Sequence, residues 1–402
     1  MWVAAHQDLL DDPRYGDRHR RFLPSRFDLL GRAIDPLGEA CTEIACPNCL
    51  LTIARDLLEL PPVFLSILGA PSSGKSYFLA TAIWQLRRAL SSQFQVSLED
   101  ADPAANRKLH EYEELLFLSR DPDEPVALPK TELDGDLYQK AFIRDQTVLY
   151  ARPFVFRLRL LPDHLRADED ARFARTVCLY DNAGENFLPG VDSTTRPGTR
   201  HLSVSKALLF LFDPTQHTAF RQACHGRSND PQMQGAADHK ELKTLTRQDQ
   251  ILTEAASRIN AGQPTSQRTR DARPLIVVVT KFDSWVCLTG QKELSSDILI
   301  QRSPAGLNSL HVERLRAVSN QIRVLMNRHV PEIVAAAEAF SNDVTYIPVS
   351  ALGTSPELGP PGANGKRALL IRPREIRPSW IEIPFLYALQ RTIPGLIPAI
   401  KK

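Results

Sequence analysis

Gly69 and Gly74 enclose four residues and are followed directly by Lys75 and Ser76, in the stretch GAPSSGKS. Glycines at that spacing let the backbone turn so that successive N–H groups point into one concavity, and a helix opening there adds partial positive charge. The chemistry is that of an anion cradle. Lys75 is placed to reach the outer phosphates of a nucleotide and the Ser76 hydroxyl to sit on Mg²⁺, with Ser72, Ser73 and Tyr77 bordering the same group. A Gly-rich turn with a chance Lys-Ser is the bland alternative.

Further along, the apolar run TVCLYD ends in Asp181-Asn182-Ala183-Gly184-Glu185. A carboxylate at the end of a parallel strand lies on the edge where open α/β sheets bind ligands, so Asp181 is in reach of the Mg²⁺ shell. Gly184 leaves its N–H open to a terminal phosphate. Two more strand ends carry Thr280-Lys281-Phe282-Asp283 and Ser350-Ala351-Leu352-Gly353. Near the N-terminus, Cys41 precedes Cys46-Pro47-Asn48-Cys49. Two thiolates two residues apart grip a tetrahedral ion, so this reads as a structural zinc knuckle with His6, His19 or Asp35 as fourth ligand. The competing reading is a metal-free cysteine cluster in a turn.

These residues need elements to hold them. VFLSILG, an apolar run, leads into the glycine loop, and YFLATAIWQLRRAL after it has helical spacing. FQVSLED reads as a strand, residues 104–118 as a helix, and PFVFRLRL as a half-buried strand near a sheet edge. ALLFLFD and PLIVVVTKFD read as buried parallel strands and VTYIPVSALG as the last, with helical regions at 239–259, up to Phe340, and at 381–392. Residues 214–238 and 285–307 read as insertions, the first a polar loop over 214–235, and the Pro/Gly/Arg-rich stretch 354–378 reads as loop.

The chain has 402 residues, a net charge of +2, 24% charged residues and six cysteines. It therefore presents no global field that would favour nucleic acid or an acidic membrane. No disulfide framework, signal-peptide order or transmembrane run is visible, and a cytoplasmic protein is the expectation.

Taken together, GAPSSGKS, DNAGE, TKFD and SAL resemble the P-loop GTPases of the translation-factor-related class, from about Pro61 to Arg391. With CPNC ahead of SILGAPSSGKSYFLA, and DNAGENFLPG and FLFDPTQ behind, the chain is similar to bacterial double-GTPase-type regulatory GTPases. The resemblance implies an α/β P-loop NTPase three-layer fold. Its mostly parallel central sheet is flanked by helices over 61–395, after a small Cys-containing segment, 1–60. It implies GTP or GDP with Mg²⁺ as cofactor, and one structural Zn²⁺. By position, Asp283 accepts hydrogen bonds from guanine, the Lys281 stem packs over its ring, Thr280 stands where many relatives have Asn, and Ser350 and Ala351 contact the guanine oxygen. Thr131, with Thr147 as competitor, is the switch threonine that closes over Mg²⁺. Glu185 departs from the usual water-orienting Gln, and Arg196 and Arg200 are candidates for an internal arginine finger against the plainer reading of solvated loop arginines. The activity implied is a GTP-hydrolysing molecular switch acting on a protein effector. The alternatives are a nucleotide-binding scaffold with little hydrolysis, and a P-loop ATPase in which TKFD is accidental.

Overall fold

The computed structural model describes residues 1–4, 10–12, 16–129, 138–143, 146–182, 187, 200–234, 247–260, 270–290, 294, 299–302, 308–361 and 367–400. Seven strands make the central sheet: β1 (Pro62–Gly69), β2 (Val96–Asp100), β3 (Phe154–Leu160), β4 (Arg175–Asp181), β5 (Ala207–Phe212), β6 (Asp271–Val279) and β7 (Ser341–Pro348). Their order is β2-β3-β4-β1-β5-β6-β7, with β4 through β7 parallel and β2 and β3 antiparallel on one side. All of β5 and Leu275–Val279 of β6 are buried. That is what strands covered on both faces require, and why their sequences are continuous apolar runs.

Register aligns the strand ends. Asp181 pairs with Ile67, Leu211 with Gly69, Phe212 with Val279, and Val279 with Pro348. The residues that follow β1, β4, β5, β6 and β7 therefore gather on one rim.

Six longer helices, α1 (Lys75–Phe94), α2 (Pro103–Phe117), α3 (Gln248–Asn260), α4 (Val312–His329), α5 (Pro331–Phe340) and α6 (Ile383–Thr392), surround the sheet. On one face α1 and α6 meet through stacked Phe78 and Phe385, whose centroids are 5.7 Å apart, over Leu65, Phe156 and Leu179. α3 packs against α5 on the other face, and α4 and α5 lie on β7. The architecture agrees with the expected three-layer, mostly parallel α/β arrangement.

β3 lies one strand in from the sheet edge, with β2 pairing along it, in agreement with a half-buried strand near an edge, and its outward Arg157 is held by Asp56, at 2.6 and 2.7 Å. Two sequence expectations are revised. The stretch read as polar loop after β5 contains helices at Thr218–Cys224 and Pro231–Gln234. The stretch 354–378 contains an antiparallel hairpin, Glu357–Pro361 with Arg367–Leu370, which local Pro and Gly content concealed.

The zinc expectation finds no support among the described residues. Short strands, including Trp2–Val3, Arg21–Phe22, Ile44–Ala45 and Thr52–Ile53, form a small N-terminal sheet. The CPNC turn is closed by the Leu50 N–H, which donates to the Cys46 carbonyl at 2.9 Å. Cys41, by contrast, is buried with Ala4 and Ala33 in a small apolar cluster. Its strand pairs with Ala33, and its thiol donates to the Glu39 carbonyl at 4.0 Å. Asp35 Oδ1 accepts from the N–H groups of Leu37 and Glu39, both at 2.9 Å, while its buried Oδ2 has no hydrogen-bond partner among the described residues. Among the described residues no group of three or more His, Cys, Asp or Glu side chains is arranged to hold a metal ion. His6 and the His19 side chain lie outside the described residues.

Candidate functional site

β1 delivers the glycine loop to the rim and α1 departs from it at Lys75. Gly74 caps α1 with φ at +83°, a conformation that side chains rarely adopt, and a Cβ there would lie 3.9 Å from Lys281 Cε. Lys75 folds back across the loop, its Nζ donating to the carbonyls of Gly69 (3.1 Å) and Ala70 (2.8 Å). Ser73 Oγ is buried without a hydrogen-bond partner among the described residues. Ser76 follows Lys75 in the first turn of α1, and Asp181, 4% exposed, ends the neighbouring strand β4.

Thr280 closes β6 by donating its N–H and hydroxyl to the Phe212 carbonyl, both at 3.0 Å. Lys281 is then forced into the left-handed region, φ 54°. Its Nζ donates to Asp213 (2.8 Å), Thr215 (2.9 Å) and Gln232 (3.1 Å). Asp213 is fully buried, so its charge needs that ammonium. Asp283 accepts a hydrogen bond from the Ser350 hydroxyl, which in turn accepts from the Gly353 N–H at 2.7 Å. Burial pushes the Asp283 carboxyl up to about 6; the Ser350 bond works against this and the nearby charge of Asp230 adds to it.

One cavity joins these parts. Ser72, Ser73, Gly74 and Tyr77 line one end, Thr280, Lys281, Asp283 and Ala351 the other, and Leu369, Leu370 and Ile371 form an apolar wall. Ser350, buried beneath, touches Asp283 rather than lining the cavity. The hairpin that supplies the wall is tied to residues before Thr131: Val126 and Ile371 exchange both backbone hydrogen bonds at 2.9 Å, and the Leu128 N–H donates to the Tyr77 hydroxyl at 2.9 Å.

Thr131, Gly184, Glu185 and Arg196 lie outside the described residues. Thr147 falls on a strand, Gln146–Ala151, paired with Tyr138–Ile143, and Arg200 opens a short turn. Sequence reasoning missed Asp213, Asp230, Gln232 and the wall residues. Only Asp213 carried a signal, a carboxylate directly after a buried strand.

No protein-family model matches this chain. The Era GTPase structure from Aquifex aeolicus bound to GDP·AlF4⁻ is similar at TM-score 0.24 and 11% identity, covering 74% of this chain and 53% of that one. An Era complex with MgGDPNP and 16S ribosomal RNA gives TM-score 0.23 and 12% identity over 77% and 61%. Among curated proteins, the chain is similar to SaeC of Mycolicibacterium smegmatis, a proposed ESX-1 scaffolding and assembly protein. The two are 24% identical over 239 residues, 59% of this chain. The match takes in 50% of SaeC, so the chain spans about half the length of the curated relative it matches.

Proposed function

We propose that this chain binds a guanine nucleotide with Mg²⁺ and hydrolyses GTP as a molecular switch. The observation that carries the reading is the single cavity lined both by the glycine loop and by Thr280, Lys281, Asp283 and Ala351. A phosphate in the loop would take over Lys75 from the carbonyls it now bonds and would meet the partnerless Ser73 hydroxyl. Asp283, steadied by Ser350, accepts from the donor edge of guanine, an edge that adenine lacks. The Lys281 stem lies between loop and base. A hydroxyl and a carboxylate, Ser76 and Asp181, are the hard oxygen donors that suit Mg²⁺. When bound, the ion neutralises phosphate charge. Hydrolysis is positioning plus charge neutralisation, with Thr131, Gly184 and Glu185 in the roles their positions suggest.

Competition of GTP and ATP against one fluorescent guanine nucleotide tests this. GTP should displace the probe while a hundredfold excess of ATP does not, and Lys75→Ala should weaken binding at least tenfold. Equal displacement by ATP, or undiminished binding by the variant, contradicts the proposal.

A second reading is favoured by the similarity to SaeC: the nucleotide is bound but sets the shape of a scaffold rather than being turned over. Steady-state phosphate release separates the two. Release above buffer supports the switch, and none with GTP bound supports the scaffold.

A further inference from the structure

The charged residues lining the cavity are Asp230, Lys281 and Asp283. The one ammonium among them is already committed to the buried Asp213, at 2.8 Å. The base end thus holds more acid than cation, and it suits a neutral group rich in N–H donors. Asp230 itself is 1% exposed. Its Oδ1 accepts from the Gln232 N–H at 2.7 Å, starting the short turn Pro231–Gln234, while Oδ2 accepts no hydrogen bond from a described residue. A carboxylate oxygen left over on a residue that lines the cavity is an acceptor open to a ligand donor. Its proximity to Asp283 shows electrostatically, since its charge helps raise the Asp283 carboxyl.

Guanine offers an N1–H and two N–H bonds on its exocyclic amino group. Asp283 has two oxygens, one of which already receives the Ser350 hydroxyl. We propose that Asp230 is a second base-reading residue of this cavity, its Oδ2 accepting the exocyclic N–H that Asp283 leaves over. The inference rests on the guanine reading above and adds to it a residue from the segment after β5.

Inosine triphosphate lacks only the exocyclic amino group and is the probe. Wild-type protein should bind GTP at least about tenfold more tightly than ITP, since a site built around an N–H donor leaves its acceptor unpaired with the analogue. In Asp230→Asn, Oδ1 must stay on Gln232, so an amide N–H₂ replaces Oδ2 and faces the amino group as a second donor. GTP affinity should then fall about tenfold while ITP affinity holds. Asp230→Ser keeps an acceptor for Gln232 and removes the free oxygen, and its GTP-to-ITP ratio should fall to within about threefold of one. A ratio within one protein is insensitive to a general loss of folding, which weakens both nucleotides alike. An unchanged ratio in both variants overturns the inference alone. So does a changed preference between GTP and 2′-deoxy-GTP with the ITP ratio intact, which assigns Asp230 to the sugar. Failure of wild-type protein to prefer GTP over ATP overturns the guanine reading and this inference with it.

Discussion

Lys281 holds a left-handed backbone and spends its ammonium on Asp213, Thr215 and Gln232, which leaves its alkyl stem as what it offers a ligand. Lys281→Met keeps most of that stem and strands a fully buried carboxylate. Urea unfolding should show a loss of about 3 kcal/mol. Asp283 makes a different prediction. With its carboxyl pushed up to about 6, it takes a proton as pH falls through that value, and a neutral carboxyl presents an O–H where guanine N–H groups need acceptors. GTP affinity should weaken by about tenfold for each pH unit below that point. Comparing wild type with Asp283→Asn at each pH cancels the titration of the phosphates. The wild-type advantage should be large at about pH 7.5 and shrink by about pH 5, where the carboxyl is neutral like the amide. Without nucleotide the same group acts on folding in the opposite sense. A folded-state value above the unfolded one contributes stability that is present at low pH and lost as pH rises through about 6.

At the scale of elements, the rim depends on a few ties between strands and their connections. Gly353 lies at φ +71°, and a Cβ there would fall 1.7 Å from the Arg377 carbonyl oxygen. Gly353→Ala must therefore push apart two stretches that meet beneath Ser350, the partner of Asp283. Loss of more than about 2 kcal/mol is expected by thermal unfolding, along with weaker GTP binding. Arg157 links β3 to Asp56 before β1, and Arg157→Ala should cost about 2 kcal/mol by leaving a nearly buried carboxylate unmatched. The strands were legible because burial on both faces writes itself as unbroken apolar runs, as in Leu275–Val279. TKFD was legible as a strand end for the same reason. Asp230 and Gln232 were not, since their role depends on where Pro231–Gln234 comes to rest. The hairpin of Glu357–Pro361 with Arg367–Leu370 was hidden because Pro and Gly within and around its strands read as loop. Cys41 fits a metal by its spacing alone, and its strand lies on a small core that the spacing did not show.

For the whole molecule, the cavity is lined by residues from Ser72 to Ile371, so a ligand bound in it would bear on most of the chain. GTP at a hundred times its dissociation constant should stabilise the fold by about 2.7 kcal/mol, read as a concentration-dependent rise in melting temperature. No helix among the described residues is long and apolar enough to cross a membrane. On the proposed reading, the reciprocal pairing of Val126 with Ile371 would act as a latch beside the base end of the cavity. A partner that prised those two residues apart would let the base swing out first while the glycine loop still gripped the phosphates. The expected signature is a partner-induced acceleration of guanosine diphosphate release that inorganic pyrophosphate release does not share.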